Sequence, residues 1–306
     1  MLPHAVRDPL ACFRMRLNFL LAVVYLSVAS AASAVPSTLP FDTVFRGRAK
    51  FDKLVAQAPA WKALPIGERV AAVGRAMAGT PYRSYTLEID DHIEAPSANF
   101  DGLDCWTFFE TTLAFARMLD EPQEAWTPQT LLKYIELDRY RGGNCTGSYL
   151  SRLHYLEDWL RDNSRRGLVQ DLTRQLGGVR VSHSAVEMSV NWRSYRYLRN
   201  NPSLRSGIRD MEQDVSRQEF VHIPKDHVGA IESQLRSGDI IGITTHDGGK
   251  IGTSHVGIAV RQPDGIHFMH ASAPRNYGKV VLDSRLTDYL NRYRSDAGIL
   301  VARPLK

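Results

Sequence analysis

The sequence predicts an α+β fold, in which a helix that carries a cysteine packs on an antiparallel sheet. Helical periodicity dominates up to about residue 239, and short β-rich runs separated by Gly, Asp and Pro follow it. Helices and strands do not alternate regularly, which argues against a doubly wound parallel sheet. With 306 residues, 43% of them hydrophobic, the chain can bury one large core or two smaller ones.

The first 34 residues have the order of a secretory signal peptide. Arg7, Arg14 and Arg16 precede an apolar run over residues 17–28, and a stretch of small residues ends at Ala34. We expect cleavage after Ala34 and export to the periplasm or cell envelope. The alternative is an uncleaved membrane anchor, for which the apolar run is short. After cleavage, no stable membrane insertion is expected.

Residues 35–306 are expected to form a single domain. The leader carries a net charge of +2, so its removal lowers the formal charge from +5 to +3. No basic stripe is interleaved with exposed aromatic residues, so nucleic acid is not an expected partner. Cys105 and Cys145 remain after cleavage, which is too few cysteines for a disulfide scaffold. A disulfide between these two would leave Cys105 without a free thiol.

Helical patterns precede the strands. The predicted helices span residues 45–58, 66–78, 105–119, 128–140, 149–162, 168–176, 188–198 and 208–215. A β-like segment is predicted at residues 85–89, after the turn around Pro81. The helices between residues 122 and 236 are interpreted as one large insertion. The predicted strands span residues 240–245, 255–260, 266–271, 279–282 and 298–302, and we interpret them as an antiparallel meander.

One stretch places a cysteine at the start of an apolar helix. Asp101, Gly102 and Asp104 favour a turn and then an N-cap, because short side-chain oxygens accept from the free N–H groups of a starting helix. Cys105 then falls at or near the first helical position, where those groups and the helix dipole favour thiolate. An acid beside Cys105 opposes formation of the thiolate. Asp104 is therefore expected to cap this turn and not to activate the thiol. The alternative is that Cys105 is a small core residue.

A cysteine nucleophile needs a base and an orienting partner for the base. His255 opens a predicted strand, next to a polar loop. In the following strand, alternation puts His270 on the face of Phe268 and His267 on the other face, so His270 is favoured for a buried site. A zinc site of Cys105, His255 and His270 lacks the local ligand pair that such sites usually show. We therefore expect neither a metal nor another cofactor.

These residues resemble a known family. Asp104-Cys105 at a helix start, the strand beginning at His255 and the strand containing His270 resemble the triad of NlpC/P60 cysteine peptidases, which have a papain-like fold. The fuller pattern is similar to the NlpC/P60-like amidase family DUF1460. Its matching stretches are residues 103–110, 151–155, 223–225, 238–241, 255–258 and 270–272. The Gly79-Thr80-Pro81-Tyr82 segment also resembles the family's tyrosine beside the nucleophile.

The resemblance implies a papain-like catalytic domain over residues 35–306 that hydrolyses the amide between N-acetylmuramic acid and L-alanine in peptidoglycan fragments, or muropeptides. Cys105 would be the nucleophile, His255 the base and His270 its orienting partner. The implied substrate or oxyanion contacts are Tyr82, Asp104, Trp106, Arg152 and His154, with Arg152 and His154 facing substrate carboxylates. For Arg152 and His154, a role as surface helix residues is the alternative.

Three other functions remain open on the sequence. The first is cleavage between γ-D-glutamate and the diamino acid of the stem peptide, as in many NlpC/P60 relatives. The second is acyl transfer to an amine or alcohol, as in other papain-like folds. The third is a non-catalytic module that binds the cell envelope.

Overall fold

The computed structural model describes residues 39–305, so the predicted signal peptide lies outside the described residues. The helices are α1 (Phe41–Val44), α2 (Arg48–Gln57), α3 (Ile66–Ala76), α4 (Cys105–Met118), α5 (Pro128–Arg139), α6 (Leu156–Arg165), α7 (Glu187–Val190), α8 (Arg196–Asn200), α9 (Leu204–Arg217), α10 (Val228–Ile231) and α11 (Leu286–Arg292). The strands are β1 (Phe45–Arg46), β2 (Ala98–Asn99), β3 (Val169–Asp171), β4 (Val179–Val181), β5 (Phe220–Pro224), β6 (Ile240–Asp247), β7 (Lys250–Gln262), β8 (Gly265–Ala271), β9 (Val280–Arg285) and β10 (Asp296–Pro304). Across residues 39–305, every helix is too short or too polar to cross a membrane.

The main sheet is antiparallel throughout its described strands, which confirms the predicted mixed fold with an antiparallel sheet. Its strand order is β4-β5-β10-β6-β7-β8-β9, and β3 pairs with one end of β10. Strands β6 to β9 form a meander as predicted, but the last predicted strand, β10, pairs with β6 and does not continue the meander from β9. The sequence did not indicate that β10 lies in the middle of the sheet, between β5 and β6.

Alternating side chains of the sheet face two layers of helices, as the period of two in a strand requires. On one face, Val256 and Ile258 join the core that contains residues of α3 and α4. On the other face, Ala259 and Phe268 join a second core with Leu286 of α11 and its neighbours in α10. Helix α4 is therefore held against β7, which begins at Lys250, so His255 lies within this strand and does not open it as predicted.

Helix α4 is buried on all sides, and not only on the one apolar face that the sequence predicted. Residues 107–118 are all buried. The polar side is accommodated by ion pairs with α5: Arg139 contacts Glu110 at 2.7 Å, and Arg117 contacts Asp138. Buried charges need partners of this kind. Helix α4 is thus fixed to both the sheet and α5.

Several predicted elements are wrong, and long-range pairing explains two of them. The predicted strand at 85–89 is a turn in which Tyr85 has a φ of 58°. The helix predicted at 168–176 contains β3, because this segment pairs with β10. The segment 149–162 is a 3₁₀ turn and then α6, and Arg152 is extended because it bridges to Tyr140.

The region 122–236 is not purely helical. Strands β3, β4 and β5 lie within it and join the main sheet. The single helix predicted at 188–198 is split into α7, a 3₁₀ turn and α8. Helix α11 was not predicted. The region therefore contributes to the sheet as well as to the helices around it.

Gly257 permits a close approach between β7 and β8. A Cβ atom at this position would lie 2.4 Å from the carbonyl oxygen of Met269, where no side chain fits without a shift of backbone. We expect Gly257→Ala to destabilise the protein by about 1–3 kcal/mol, as overpacking does. Gly252→Ala is the matched control, since nothing lies within 4 Å of a Cβ there. Urea unfolding of both variants measures the difference, and equal midpoints would contradict the expectation.

Candidate active site

Cys105 is the first residue of α4, as the sequence predicted. The Asp104 side chain accepts from the Thr107 backbone N–H at 2.8 Å, and the Thr107 hydroxyl accepts from the Asp104 N–H at 3.0 Å, which is a capping box. Nearby backbone N–H groups of Val256, Trp106 and Cys105 itself act to lower the pKa of the thiol. The thiol therefore lies beside the residue that follows His255. Both cysteines of the described residues are free, so Cys105 keeps its thiol.

The pKa of Cys105 differs in direction from the prediction. Burial raises the pKa of its thiol to about 12, and the charge of Asp104 adds to this effect. The N–H groups of Val256 and the helix start act in the predicted direction, toward thiolate, but desolvation outweighs them. The expectation of a pre-formed thiolate is therefore wrong for the free protein, and the thiol is neutral at neutral pH.

His255 and His270 form the predicted pair. His255 Nε2 lies 2.7 Å from His270 Nδ1, with the two rings nearly perpendicular at 89°. Phe268 stacks on His270, as the alternation of β8 predicts, and His267 lies on the opposite face against Asp264. Although fourteen residues separate the two histidines, β7 and β8 are joined by a tight hairpin with Gln262 opposite Gly265. Long strands, not a long loop, account for their separation.

The pKa of His255 is also shifted. Burial, followed by the neighbouring His270 and Arg275, lowers the pKa of His255 to about 3. The imidazole is therefore neutral at neutral pH and available as a base. Together with the neutral thiol of Cys105, this arrangement keeps the proton on sulfur until a reaction begins.

The raised pKa makes a prediction about alkylation. Because thiolate is the reacting species, the rate at which iodoacetamide modifies Cys105 should rise about tenfold per pH unit from pH 7 to 10. Mass spectrometry of the Cys105 peptide measures this rate. The same protein unfolded in urea is the control, and its rate should level off above the ordinary cysteine pKa of about 8.5. A rate for the folded protein that is flat above pH 6 would instead indicate a thiolate–imidazolium pair.

Cys105 and His255 line one cleft of about 420 Å³. Tyr82, Asp104 and Trp106 also line it, so these three predicted contacts lie at the site. Tyr82 is half-buried, and burial, together with the nearby Cys105 and Asp104, raises its pKa, so its phenol is a hydrogen-bond donor beside the thiol. The outer wall comes from the region 122–236. The residues that this region contributes to the cleft wall include Tyr149, Leu153, Tyr155, Glu157, Glu187, Met188 and Tyr195.

Arg152 lines the cleft but is not a free cation there. Its side chain is 3% exposed and lies 3.0 Å from Glu88 and 3.7 Å from Glu94. Its guanidinium also stacks over the Tyr149 ring at 4.5 Å. The interpretation of Arg152 as a surface helix residue is therefore wrong, and the predicted role toward a substrate carboxylate is weakened, because Glu88 and Glu94 already neutralise the charge.

His154 is likewise committed within the protein. Its Nε2 lies 2.9 Å from the Tyr149 carbonyl oxygen, and it is half-buried at the cleft wall. Burial and the charge of Arg152 hold the pKa of His154 well below its usual range. His154 is neutral at neutral pH and does not offer a substrate carboxylate the positive charge that the family resemblance implied.

Two residues near the histidines were missed. Asp283 of β9 lies 3.4 Å from His270 Nε2, and Arg292 of α11 contacts Asp283 at 2.9 Å. The predicted strand 279–282 ended one residue before Asp283, although an acid on the strand beside His270 was an available signal. No group of three or more metal-ligating His, Cys, Asp or Glu side chains occurs within residues 39–305.

Comparison with known proteins identifies the chain as amidase-like. It belongs to the AmiA-like family, which is described as N-acetylmuramoyl-L-alanine amidase-like and whose model matches residues 72–299. This confirms the amidase family that the sequence motifs implied. No match is found among curated proteins.

Several solved structures are similar to this chain. An N-acetylmuramoyl-L-alanine amidase from Bacteroides uniformis is 31% identical, with a TM-score of 0.69 over 79% of this chain and 99% of the amidase. A Legionella pneumophila protein of the DUF1460 family shares the fold at 21% identity, with a TM-score of 0.62 over 84% of this chain and 94% of that protein.

Proposed function

We propose that the protein is a cysteine-dependent N-acetylmuramoyl-L-alanine amidase. Its substrates are muropeptides, and the bond cleaved is the amide between N-acetylmuramic acid and L-alanine. The observation that carries the proposal is the position of Cys105, at the first turn of α4 in the same cleft as His255. The identity to an amidase of known structure supports the choice of bond.

These positions support a cysteine mechanism. The Cys105 sulfur attacks the lactyl carbonyl carbon of the muramic acid while His255 accepts the thiol proton. The Cys105 backbone N–H stabilises the oxyanion, and a donor of this kind typically contributes about 3 kcal/mol. His255 then returns the proton to the leaving amine of L-alanine. Water activated by His255 finally hydrolyses the muramoyl thioester.

The pKa values give this mechanism a particular order of events. Thiol and imidazole are both neutral before the reaction. Proton transfer from Cys105 to His255 therefore accompanies the attack instead of preceding it. The half-buried thiol is protected from adventitious reaction until a carbonyl group is bound next to it.

The remaining elements of the proposal concern location and architecture. The leader over residues 1–34 is a signal peptide, and the mature protein acts in the periplasm or cell envelope, where peptidoglycan fragments occur. The order of Cys105, His255 and His270 along the chain supports a papain-like catalytic domain of the NlpC/P60 type.

The experiment is mass spectrometry of a defined muropeptide after incubation with the purified protein. Release of a free peptide that begins with L-alanine supports the amidase. A surviving muramoyl-L-Ala-D-Glu fragment would overturn the choice of bond and indicate the γ-D-glutamyl endopeptidase. A lipid-derived acyl chain trapped on Cys105 would indicate an acyltransferase. Cys105→Ala is the negative control. If this variant cleaved the muropeptide as fast as the wild type, the cysteine mechanism would be overturned.

A further inference from the structure

The contacts of His270 continue away from the cleft, to β9 and α11. His270 Nε2 faces Oδ2 of Asp283 at 3.4 Å, and Arg292 donates to both carboxylate oxygens of Asp283, at 2.9 and 3.2 Å. The Asp283 side chain is only 2% exposed. Asp283 also accepts from the backbone N–H of Ser284 at 2.7 Å. This acid is held in one position from several directions.

Asp283 is ionised and can therefore only accept hydrogen bonds. Burial alone would raise the pKa of its carboxyl group, but hydrogen bonds from His270 and Arg292 outweigh burial and hold the pKa well below its usual range. An ionised carboxylate has no proton to donate. The proton in the contact with His270 must therefore reside on His270 Nε2.

The proton on His270 Nε2 determines which nitrogen of His255 carries a proton. A neutral imidazole carries one proton, so with Nε2 protonated, His270 Nδ1 is an acceptor. The 2.7 Å contact with His255 then needs a proton on His255 Nε2. Because His255 is itself neutral, its Nδ1 is left without a proton and with a free lone pair. The hydrogen bonds of His255 among the described residues use only Nε2, so Nδ1 remains for the thiol.

We propose that Asp283, held by Arg292, is a positioning residue that fixes the tautomer of His255 through His270. The role assigned to His255 Nδ1 as the base rests on the proposed cysteine mechanism. For neutral imidazoles beside an ionised Asp283, the tautomer itself follows from the contacts. Neither Asp283 nor Arg292 lines the cleft with Cys105, so neither contacts the substrate in this arrangement.

Asparagine at position 283 would exchange donor and acceptor in the contacts that join residue 283, His270 and His255. Oδ1 of Asp283 contacts Arg292 Nη2, the Ser284 N–H and the Tyr277 hydroxyl, so an amide oxygen would occupy that place. The amide NH₂ would then face His270 Nε2 and donate to it. His270 Nδ1 would carry the proton and donate to His255 Nε2. His255 would be left with its proton on Nδ1 and could not accept one from the thiol.

The first test compares muropeptide cleavage by Asp283→Asn and Asp283→Ala. We expect Asp283→Asn to lower kcat by about 10²-fold or more, as a wrong tautomer does in other enzymes. Asp283→Ala should lose less, because it removes the acceptor without imposing the reverse order. Asp264→Asn is the matched control. Asp264 also pairs with a histidine, His267, which lies on the same strand as His270 but on the other face. Equal losses in the Asn and Ala variants would overturn tautomer control and leave a structural role.

The second test does not depend on activity. Nitrogen NMR of the protein labelled with ¹⁵N-histidine distinguishes protonated from unprotonated ring nitrogens. We expect the proton of His255 on Nε2 in the unaltered protein and on Nδ1 in Asp283→Asn. A proton on Nδ1 in the unaltered protein would overturn the proposal even if no variant folds. If the tautomer is as expected but Cys105→Ala retains activity, the cysteine mechanism fails and the positioning role of Asp283 stands.

Discussion

Replacement of Cys105 by alanine is expected to lower kcat for muropeptide cleavage by about 10⁴-fold or more. Loss of the attacking atom removes the covalent route, and comparable nucleophile deletions in other hydrolases have effects of this size or larger. The residual rate would come from substrate binding and the backbone N–H groups at the start of α4. Steady-state kinetics on a defined muropeptide measures the change.

Cys145→Ala is the matched control for this experiment. Cys145 is half-buried, and its sulfur contacts the Glu94 carbonyl oxygen at 3.5 Å, away from the cleft residues. We expect its kcat to stay within a few-fold of the wild type. A large loss in both variants would indicate a general effect of cysteine removal on folding. Wild-type turnover by Cys105→Ala would point to the non-catalytic envelope-binding function.

The largest expected effect on stability concerns the ion pair between α4 and α5. Arg139 and Glu110 are both fully buried, and Arg139 also donates to the Ser97 carbonyl oxygen at 2.9 Å. Arg139→Met leaves the Glu110 carboxylate buried without a cation, which should cost about 3–5 kcal/mol of unfolding free energy. Urea unfolding at pH 8 measures the loss.

Two comparisons test the cause of that loss. Arg48→Met breaks a pair with Asp52 whose side chains are 65% and 53% exposed, so it should cost less than about 1 kcal/mol. The deficit of Arg139→Met relative to wild type should shrink at pH 5, because burial raises the pKa of Glu110 and its neutral form costs less to bury. An equal deficit at both pH values would show that lost packing, not charge, is responsible.

Local features of the site could be predicted from the sequence. The cap at Asp104 and the position of Cys105 depend on neighbours within a few residues, and the structure shows both. The pairing of His255 with His270 needed only strand alternation and a meander. These relationships are carried by short-range backbone geometry, so one sequence contains enough information for them.

Features that depend on distant parts of the chain could not be predicted. Arg152 reads as a surface cation on a helix, but its partners Glu88 and Glu94 are about sixty residues earlier in the sequence. The pKa of Cys105 was given the wrong direction because desolvation depends on how completely the surrounding elements close over the thiol. Strand β3 was assigned as helix because its pairing partner, β10, lies more than a hundred residues away.

The central position of β10 has a consequence for how the protein is made. Synthesis proceeds from the N-terminal end, so α4 and its cysteine emerge long before residues 296–304. Until those residues arrive, β5 and β6 are unpaired along the edges that β10 joins, and the cores on both faces of the sheet are incomplete. Closure of the main sheet is therefore a late event, which requires a nearly complete chain. The cleft that contains Cys105 and His255 is therefore completed only near the end of synthesis.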